Sequence, residues 1–199
     1  AQASFKPMPS LQLEGGLFAR SLNNDIVSRT HVDPRIGAAW RATDKHWVRG
    51  AFQQKLVFPL RAAETVAPVD TVGLVVPDEF FAGFEGGERI DDYRLRWEGE
   101  WTSKLFTFVE LSRQDIRNFV TDGTTVANGQ VDVASAGTNI WLFDGVGLRV
   151  AGEVRRSRNV ATGLQLPGVA NEAASIALGW VHPSRIVSSL SVSYSGASF

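Results

Sequence analysis

From Tyr93 to Trp101 the chain alternates without a miss. Tyr93, Leu95, Trp97, Gly99 and Trp101 fall on one side, and Arg94, Arg96, Glu98 and Glu100 on the other. Period two is the signature of a strand, because successive side chains point to opposite faces of a sheet. The polar triplet Thr102-Ser103-Lys104 turns the chain back through Leu105–Arg113, so Asp91–Arg113 reads as a hairpin with one aromatic-rich face and one charged face. A soluble sandwich buries such an apolar face against a second sheet. A membrane barrel turns it to lipid and keeps the charges inside.

The same alternation recurs along the chain. Leu11–Ser21 reads as a strand with a glycine pair, and Arg35–Ala42 places Ile36, Ala38, Trp40 and Ala42 in phase. His46–Phe58 sets Val48, Gly50, Phe52, Leu56 and Phe58 against Arg49, Gln53 and Lys55, with Gln54 interrupting the apolar face. Val131–Leu142 and Val146–Arg156 flank the turn Phe143-Asp144-Gly145. Glu172–His182 and Ile186–Gly196 flank Pro183-Ser184-Arg185. In the last segment Ile186, Leu190, Val192 and Tyr194 oppose Ser189, Ser191, Ser193 and Ser195. No segment carries a helical period. The pattern predicts an all-β chain, an antiparallel up-and-down meander of about 9–10 strands, read as one domain over residues 1–199. Pro59–Ile90 is a long irregular stretch in which Val72–Val76 and Phe80–Phe84 are apolar islands fit for a further strand or small hairpin. Loops of that length are often functional.

The connections are of two kinds. Short turns fall near 43–45, 102–104, 143–145 and 183–185, and long loops near 22–34, 59–90, 115–130 and 157–171. They alternate, so a meander gathers all short turns at one end and all long loops at the other, the asymmetry of outer-membrane barrels. Trp40, Trp47, Trp101, Trp141 and Trp180 lie within about three residues of a short turn, and Trp97 one step further up, a spread of a few ångströms to ~13 Å along a strand. Six tryptophans at one end form a candidate membrane-interface girdle, since the ring is apolar and its N–H polar. The bland reading is that tryptophans occupy the strand ends of a β core.

Composition narrows the classes. The net charge of −1 gives no electrostatic case for a nucleic-acid partner. No run approaches a transmembrane helix, which leaves a barrel open because barrel strands hide their hydrophobicity by alternation. The absence of cysteine removes disulfides, thiol nucleophiles and cysteine metal sites. The histidines at 31, 46 and 182 lack metal-ligand spacing, and no phosphate-binding glycine loop precedes a helix.

With the strands placed, the chain resembles part of a bacterial outer-membrane β-barrel of the TonB-dependent-receptor type. More narrowly, it resembles the barrel portion of large envelope proteins in which such a barrel follows tetratricopeptide repeats. The resemblance rests on Asp33-Pro34-Arg35-Ile36-Gly37-Ala38-Ala39-Trp40, Trp47-Val48-Arg49-Gly50-Ala51-Phe52, the stretch Glu64–Gly73, and Val109-Glu110-Leu111-Ser112-Arg113-Gln114-Asp115. It implies an outer-membrane location and transport or export, and it supplies no catalytic residues. The 199 residues hold no counterpart of a plug domain, TonB box or repeat helix, and Phe199 is out of phase with Leu190, Val192 and Tyr194. About nine strands leave the last one at the long-loop end. Either the chain is a piece of a larger barrel, or Pro59–Ile90 hides one more strand.

Candidate sites follow from the faces. Arg94, Arg96, Glu98, Glu100, Glu110, Arg149, Glu153 and Arg155 are lumen-lining candidates, and pore selectivity follows the charges on the wall. The plainer alternative is that they only satisfy one another across strands. The loop acids Asp78, Glu79, Glu85, Glu88, Asp91 and Asp92 suit calcium by oxygen count but match no EF-hand. A solvated acidic loop accounts for them better. Phe80, Phe81 and Phe84 are candidates for an external contact patch. His182-x-Ser184 invites a hydrolase reading, but nothing fixes the third group that a serine nucleophile's base requires. The expectation is therefore no enzyme, no cofactor and no metal. The chain is expected to form an outer-membrane barrel for passage of a solute or polymer, or the membrane anchor of a larger assembly. Its partners are membrane lipid and other barrel segments or envelope proteins. Two alternatives stand beside this: a soluble β-sandwich or lipocalin-like binding module, and a small barrel hydrolase acting on envelope lipid.

Overall fold

The computed structural model describes residues 2–23, 28–56, 70–75, 88–121, 124–182, 184 and 186–197. Ten strands form one antiparallel sheet in which every neighbour in space is a neighbour in the meander. They are β1 (Gln2–Met8), β2 (Leu11–Asn23), β3 (Ser28–Thr43), β4 (His46–Leu56), β7 (Arg89–Thr102), β8 (Leu105–Thr121), β9 (Thr124–Phe143), β10 (Val146–Asn159), β11 (Glu172–Val181) and β12 (Val187–Ser195). The short strands β5 (Asp70–Thr71) and β6 (Leu74–Val75) pair only with each other. β1 and β12 are the two edges, so the sheet is not closed.

The tenth strand lies at the start of the chain, and the described part of Pro59–Ile90 adds none to the main sheet before β7. In β1 the prolines at 7 and 9 read as breakers. Proline is tolerated at an edge, where its missing N–H faces no ladder. Two expected loops also give way to strand. β2 runs to Asn23 and β3 starts at Ser28, while β8 and β9 stay paired to Thr121↔Thr124. Beyond the apolar band polar and apolar residues no longer sort by face along these strands. The hydrophobic alternation fades there, yet the backbone ladder continues.

Register sorts the side chains into two faces. Trp40↔Val48↔Trp97↔Val109↔Ala136 and Ile36↔Phe52↔Tyr93 run along one face. Gly37↔Ala51↔Arg94 and Arg49↔Arg96↔Glu110↔Ser135↔Glu153 run along the other. The apolar face is open: Ile36, Leu95, Leu111, Val154, Ile176, Leu190 and Val192 are all more than half exposed. No described residue covers it, and no described strand supplies the second sheet that a sandwich needs there. From Tyr93 to Trp101 the band measures ~26 Å along the strand, or ~20 Å in height at a barrel's usual tilt.

The buried apolar clusters lie instead on the charged face, one toward the short turn of β3 and β4 and the other at the long-loop end. Ile90, Ile116, Val131 and Val133 are covered there by Leu166 and Val169 from the 160–171 loop. Ala39 and Ala51 are covered by Val72 and Leu74 of the β5–β6 hairpin, with Trp47 packed alongside. Two connecting segments thus fold inward over the charged face while the apolar face keeps none.

Candidate functional site

The charged face of β4, β7 and β8 carries a continuous chain of ion pairs. Asp92, fully buried, accepts from Arg94 Nε at 2.7 Å and from Gln114 Nε2 at 3.0 Å. Arg94 also donates to Glu110 at 2.9 Å. Arg96 lies between Glu110, at 3.5 Å, and Glu98, at 2.9 Å. Glu98 then accepts from Arg49 Nε at 2.9 Å. These contacts exist because the pleat puts every second residue on one face. They also need a register that sets Arg94 opposite Ser112 and Arg96 opposite Glu110, so each arginine reaches a carboxylate diagonally or directly across. Arg96 also lies 4.4 Å over the ring of Phe108, which rests where a Cβ on Gly137 would stand, 2.5 Å away.

All eight lumen-lining candidates fall on this face by register. Arg94, Arg96, Glu98 and Glu110 belong to the connected chain. Glu153 and Arg155 pair with each other on β10. Glu100 and Arg149 stand apart and make no ion pair among the described residues. A groove of about 560 Å³ lies between the two groups, lined by Arg96, Phe108, Glu110, Arg149, Glu153 and Arg155.

The β5–β6 hairpin is anchored to the same face. Arg49 Nη1 donates to the Val72 carbonyl at 2.7 Å, and the Val72 N–H donates to Glu14 Oε2 at 2.7 Å. Gln53 Nε2 donates to the Leu74 carbonyl at 2.9 Å, and the Thr71 hydroxyl donates to Gln53 Oε1 at 3.1 Å. The hairpin seats against Gly37, where a Cβ would stand 2.7 Å from the Thr71 methyl and 2.9 Å from a Val72 methyl. Glu14, Gly37, Arg49 and Gln53 are site residues that the alternation pattern does not single out. Their shared phase was readable, but nothing local says that a loop closes over them.

The six candidate girdle tryptophans do not share one face. Trp40, Trp97 and Trp180 lie on the apolar face near the short turns. Trp101 falls at an irregularity in the ladder and joins them through its ring, 5.9 Å from Trp97. Its Nε1 donates to Thr107 at 2.8 Å. His46 completes this cluster, stacked on Trp97 at 5.6 Å. Trp47 and Trp141 do not belong. Trp47 shares its phase with Arg49 and packs under the hairpin, and Trp141, opposite Gly147, shares the phase of Arg149. Nearness to a turn gives height along the strand, and only parity gives the face.

Of the acidic group, Asp91 and Asp92 point to opposite faces and are engaged separately, Asp91 by Gln54, Arg89 and Arg117. Asp78, Glu79, Glu85 and the aromatics Phe80, Phe81 and Phe84 lie outside the described residues. Among the described residues no cluster of histidine and acidic groups is fit for a metal. His182 and Ser184 do meet, with Nδ1 2.7 Å from the hydroxyl, but the same nitrogen also accepts the Ser184 N–H at 3.2 Å. The ring is thus a turn brace, and no described carboxylate orients it.

No protein-family model and no curated protein matches the chain. Solved structures do match. Over 97% of its length the chain superposes on the ferric-catecholate import receptor Fiu of E. coli K12, with 13% identity, a TM-score of 0.60 and 33% of that chain covered. Over 98% it superposes on the ferric yersiniabactin uptake receptor FyuA of Yersinia pestis, with 15% identity, a TM-score of 0.60 and 33% covered. The copper transporter OprC matches over 90% of the chain, with 14% identity, a TM-score of 0.59 and 31% covered. The chain therefore has the fold of the barrel portion of TonB-dependent outer-membrane receptors and spans about a third of the length of the structures it matches. By their names these neighbours are transport proteins.

Proposed function

We propose that this chain forms a stretch of wall in a bacterial outer-membrane barrel through which a solute passes, with the charged face lining the path and the apolar face in lipid. The observation that supports it most is the inversion of packing. Large apolar side chains stay open on one face, while charges, ion pairs and two inward-folded segments occupy the other. In water that arrangement leaves a large apolar area unburied. In a bilayer the backbone groups inside the ladder are satisfied by strand pairing, and the outward side chains meet a solvent as apolar as themselves.

The lining residues define what such a path does. Arg35, Arg41, Arg49, Lys55, Arg94, Arg96, Arg149 and Arg155 share this face with Glu14, Asp33, Asp92, Glu98, Glu100, Glu110 and Glu153, so the two signs nearly balance. A wall that neutralises itself presents hydrogen-bonding groups without a net field. It therefore suits a polar solute better than selection among small ions by charge. The 160–171 loop narrows the long-loop end of the path, and the β5–β6 hairpin covers its wall at β3 and β4, from mid-strand toward their short turn.

Single cysteines introduced into this cysteine-free chain, within the full protein in lipid vesicles, test this. Positions 96, 98, 110 and 153 are expected to react with water-soluble thiol reagents, and 95, 109, 111 and 150 to be shielded. Equal reactivity of the two sets, or a protein that stays folded and monomeric in plain buffer, refutes the membrane wall. The expected labelling pattern without conductance or solute uptake leaves the wall as a membrane anchor and refutes passage.

A further inference from the structure

The apolar face is not uniform. Between β7, β8, β9 and β10 it holds a groove of about 700 Å³ whose floor is Leu95, Leu111, Ala134 and Val154 and whose long-loop rim is Arg113, Asp132 and Arg156. Above that rim, on the same outward face, the charges continue. Among the described residues of β7–β10 the outward charges beyond Tyr93 are Arg89, Arg113, Arg117, Arg156 and Arg158 against Asp91, Asp115 and Asp132. The acids are unevenly used. Asp91 is buried between Arg89 and Arg117. Arg113 holds Asp115 at 3.4 Å and approaches Asp132 at only 3.9 Å. Arg158 donates to the neutral Gln130 at 2.6 Å, and Arg156 makes no ion pair among the described residues.

An apolar groove that ends in exposed arginines, on the face open to lipid, has the shape of one kind of molecule. We infer that it binds a lipid whose phosphate head group is net anionic, with an acyl chain over Leu111 and Val154 and the phosphate against Arg113 and Arg156. The inference deepens the membrane-wall reading and rests on it. Two observations point to this occupant. The excess of cations suits an anion, and the guanidinium fork suits phosphate oxygens. The groove also opens directly from the lipid-facing band, so the ligand arrives with its chain already in place. A peptide partner would need hydrogen bonds from the floor, and the floor side chains have none to give.

Native mass spectrometry of the full protein in detergent, titrated with phosphatidylglycerol or phosphatidylcholine, tests it. Retention of phosphatidylglycerol over phosphatidylcholine is expected. The paired change Arg113→Gln and Arg156→Gln is expected to weaken that retention about tenfold or more. The lysine pair, Arg113→Lys with Arg156→Lys, should recover part of it, and Lys104→Gln, at the opposite end of the sheet, should leave it unchanged. Equal retention of the two lipids by the parent protein overturns the inference without any variant. So does undiminished retention in the glutamine pair, or displacement by millimolar inorganic phosphate, which marks a free-anion site. Loss of the inner and outer labelling pattern refutes the membrane wall itself, whereas an intact pattern with no lipid preference refutes only this site.

Discussion

Replacing Glu14 with alanine is expected to loosen the β5–β6 hairpin from the charged face. The hairpin is held by four hydrogen bonds and by burial of Val72 and Leu74. The two bonds that involve ions contribute about 2 kcal/mol each and the two neutral ones about 1 each. Burial of the two aliphatic side chains contributes roughly 2 kcal/mol apiece. Against a gain of about 10 kcal/mol stands the ordering of Asp70–Val75, at about 1.5 kcal/mol per residue. Val72, held at φ 49°, adds about 1 kcal/mol of strain. Docked and released forms therefore lie within about 2 kcal/mol of one another, and the hairpin is balanced enough to move.

Glu14 is the acceptor for the Val72 N–H and is itself steadied by Gln12 at 2.7 Å. Its removal leaves that N–H unpaired whenever the hairpin is docked, at a cost of about 2 kcal/mol, which lowers the docked-to-released ratio about thirtyfold. The chain has no cysteine, so Thr71→Cys, buried in the docked form, reports the released fraction by its thiol-labelling rate. With docking favoured by about 2 kcal/mol the released fraction is about 3%, so the rate is expected to rise about fifteenfold when Glu14→Ala is added. Glu14→Gln keeps an acceptor oxygen and should restore most of the protection. A rate unchanged within about twofold, with the Gln and Ala variants indistinguishable, would show that the Glu14 contact does not hold the hairpin.

Arg94→Ala leaves fully buried Asp92 without its cation and strips mostly buried Glu110 of the nearer of its two, a loss of about 3–5 kcal/mol that a lowered unfolding temperature in detergent should register. Gly37→Val pushes a side chain into the Val72 methyl and should raise labelling of Thr71→Cys without changing strand content by circular dichroism. Gly99→Val crowds Trp97 and His46, whose atoms lie within 3 Å of a Cβ there, and should shift tryptophan emission as the ring cluster opens. Ser184→Ala removes only a turn contact. Stability should change by under about 1 kcal/mol, and any loss of transport larger than the loss of folded protein refutes the assignment of that turn as structural.

What the sequence discloses and what it withholds have the same cause. A strand announces itself only where its two faces meet different surroundings. Between Tyr93 and Trp101 one face meets the open side and the other the ion-pair chain, so alternation is complete and the four charged candidates there, Arg94, Arg96, Glu98 and Glu100, were legible by phase. In Ile116–Thr121 and Thr124–Gln130 polar and apolar residues no longer separate by face, and a paired strand looked like a loop. In β1 no burial imposes any pattern at all. The hairpin site is hidden for another reason. Glu14, Gly37, Arg49 and Gln53 come from three strands, and their meeting with Val72 spans 58 residues of chain in the longest case. Contacts of that separation leave no local period. Trp47 shows the cost of reading height without parity: one residue from His46 in sequence, it lies on the opposite face, under a loop rather than in the ring cluster. The same parity that misplaced it makes a sharp demand on the proposed wall. Residues 46 and 47 stand at one height, so a thiol at 46 should be shielded by lipid and neighbouring rings, while one at 47 should gain access to water when Glu14→Ala releases the hairpin. Equal behaviour of the two would mean that the faces are not separated at this level of the wall.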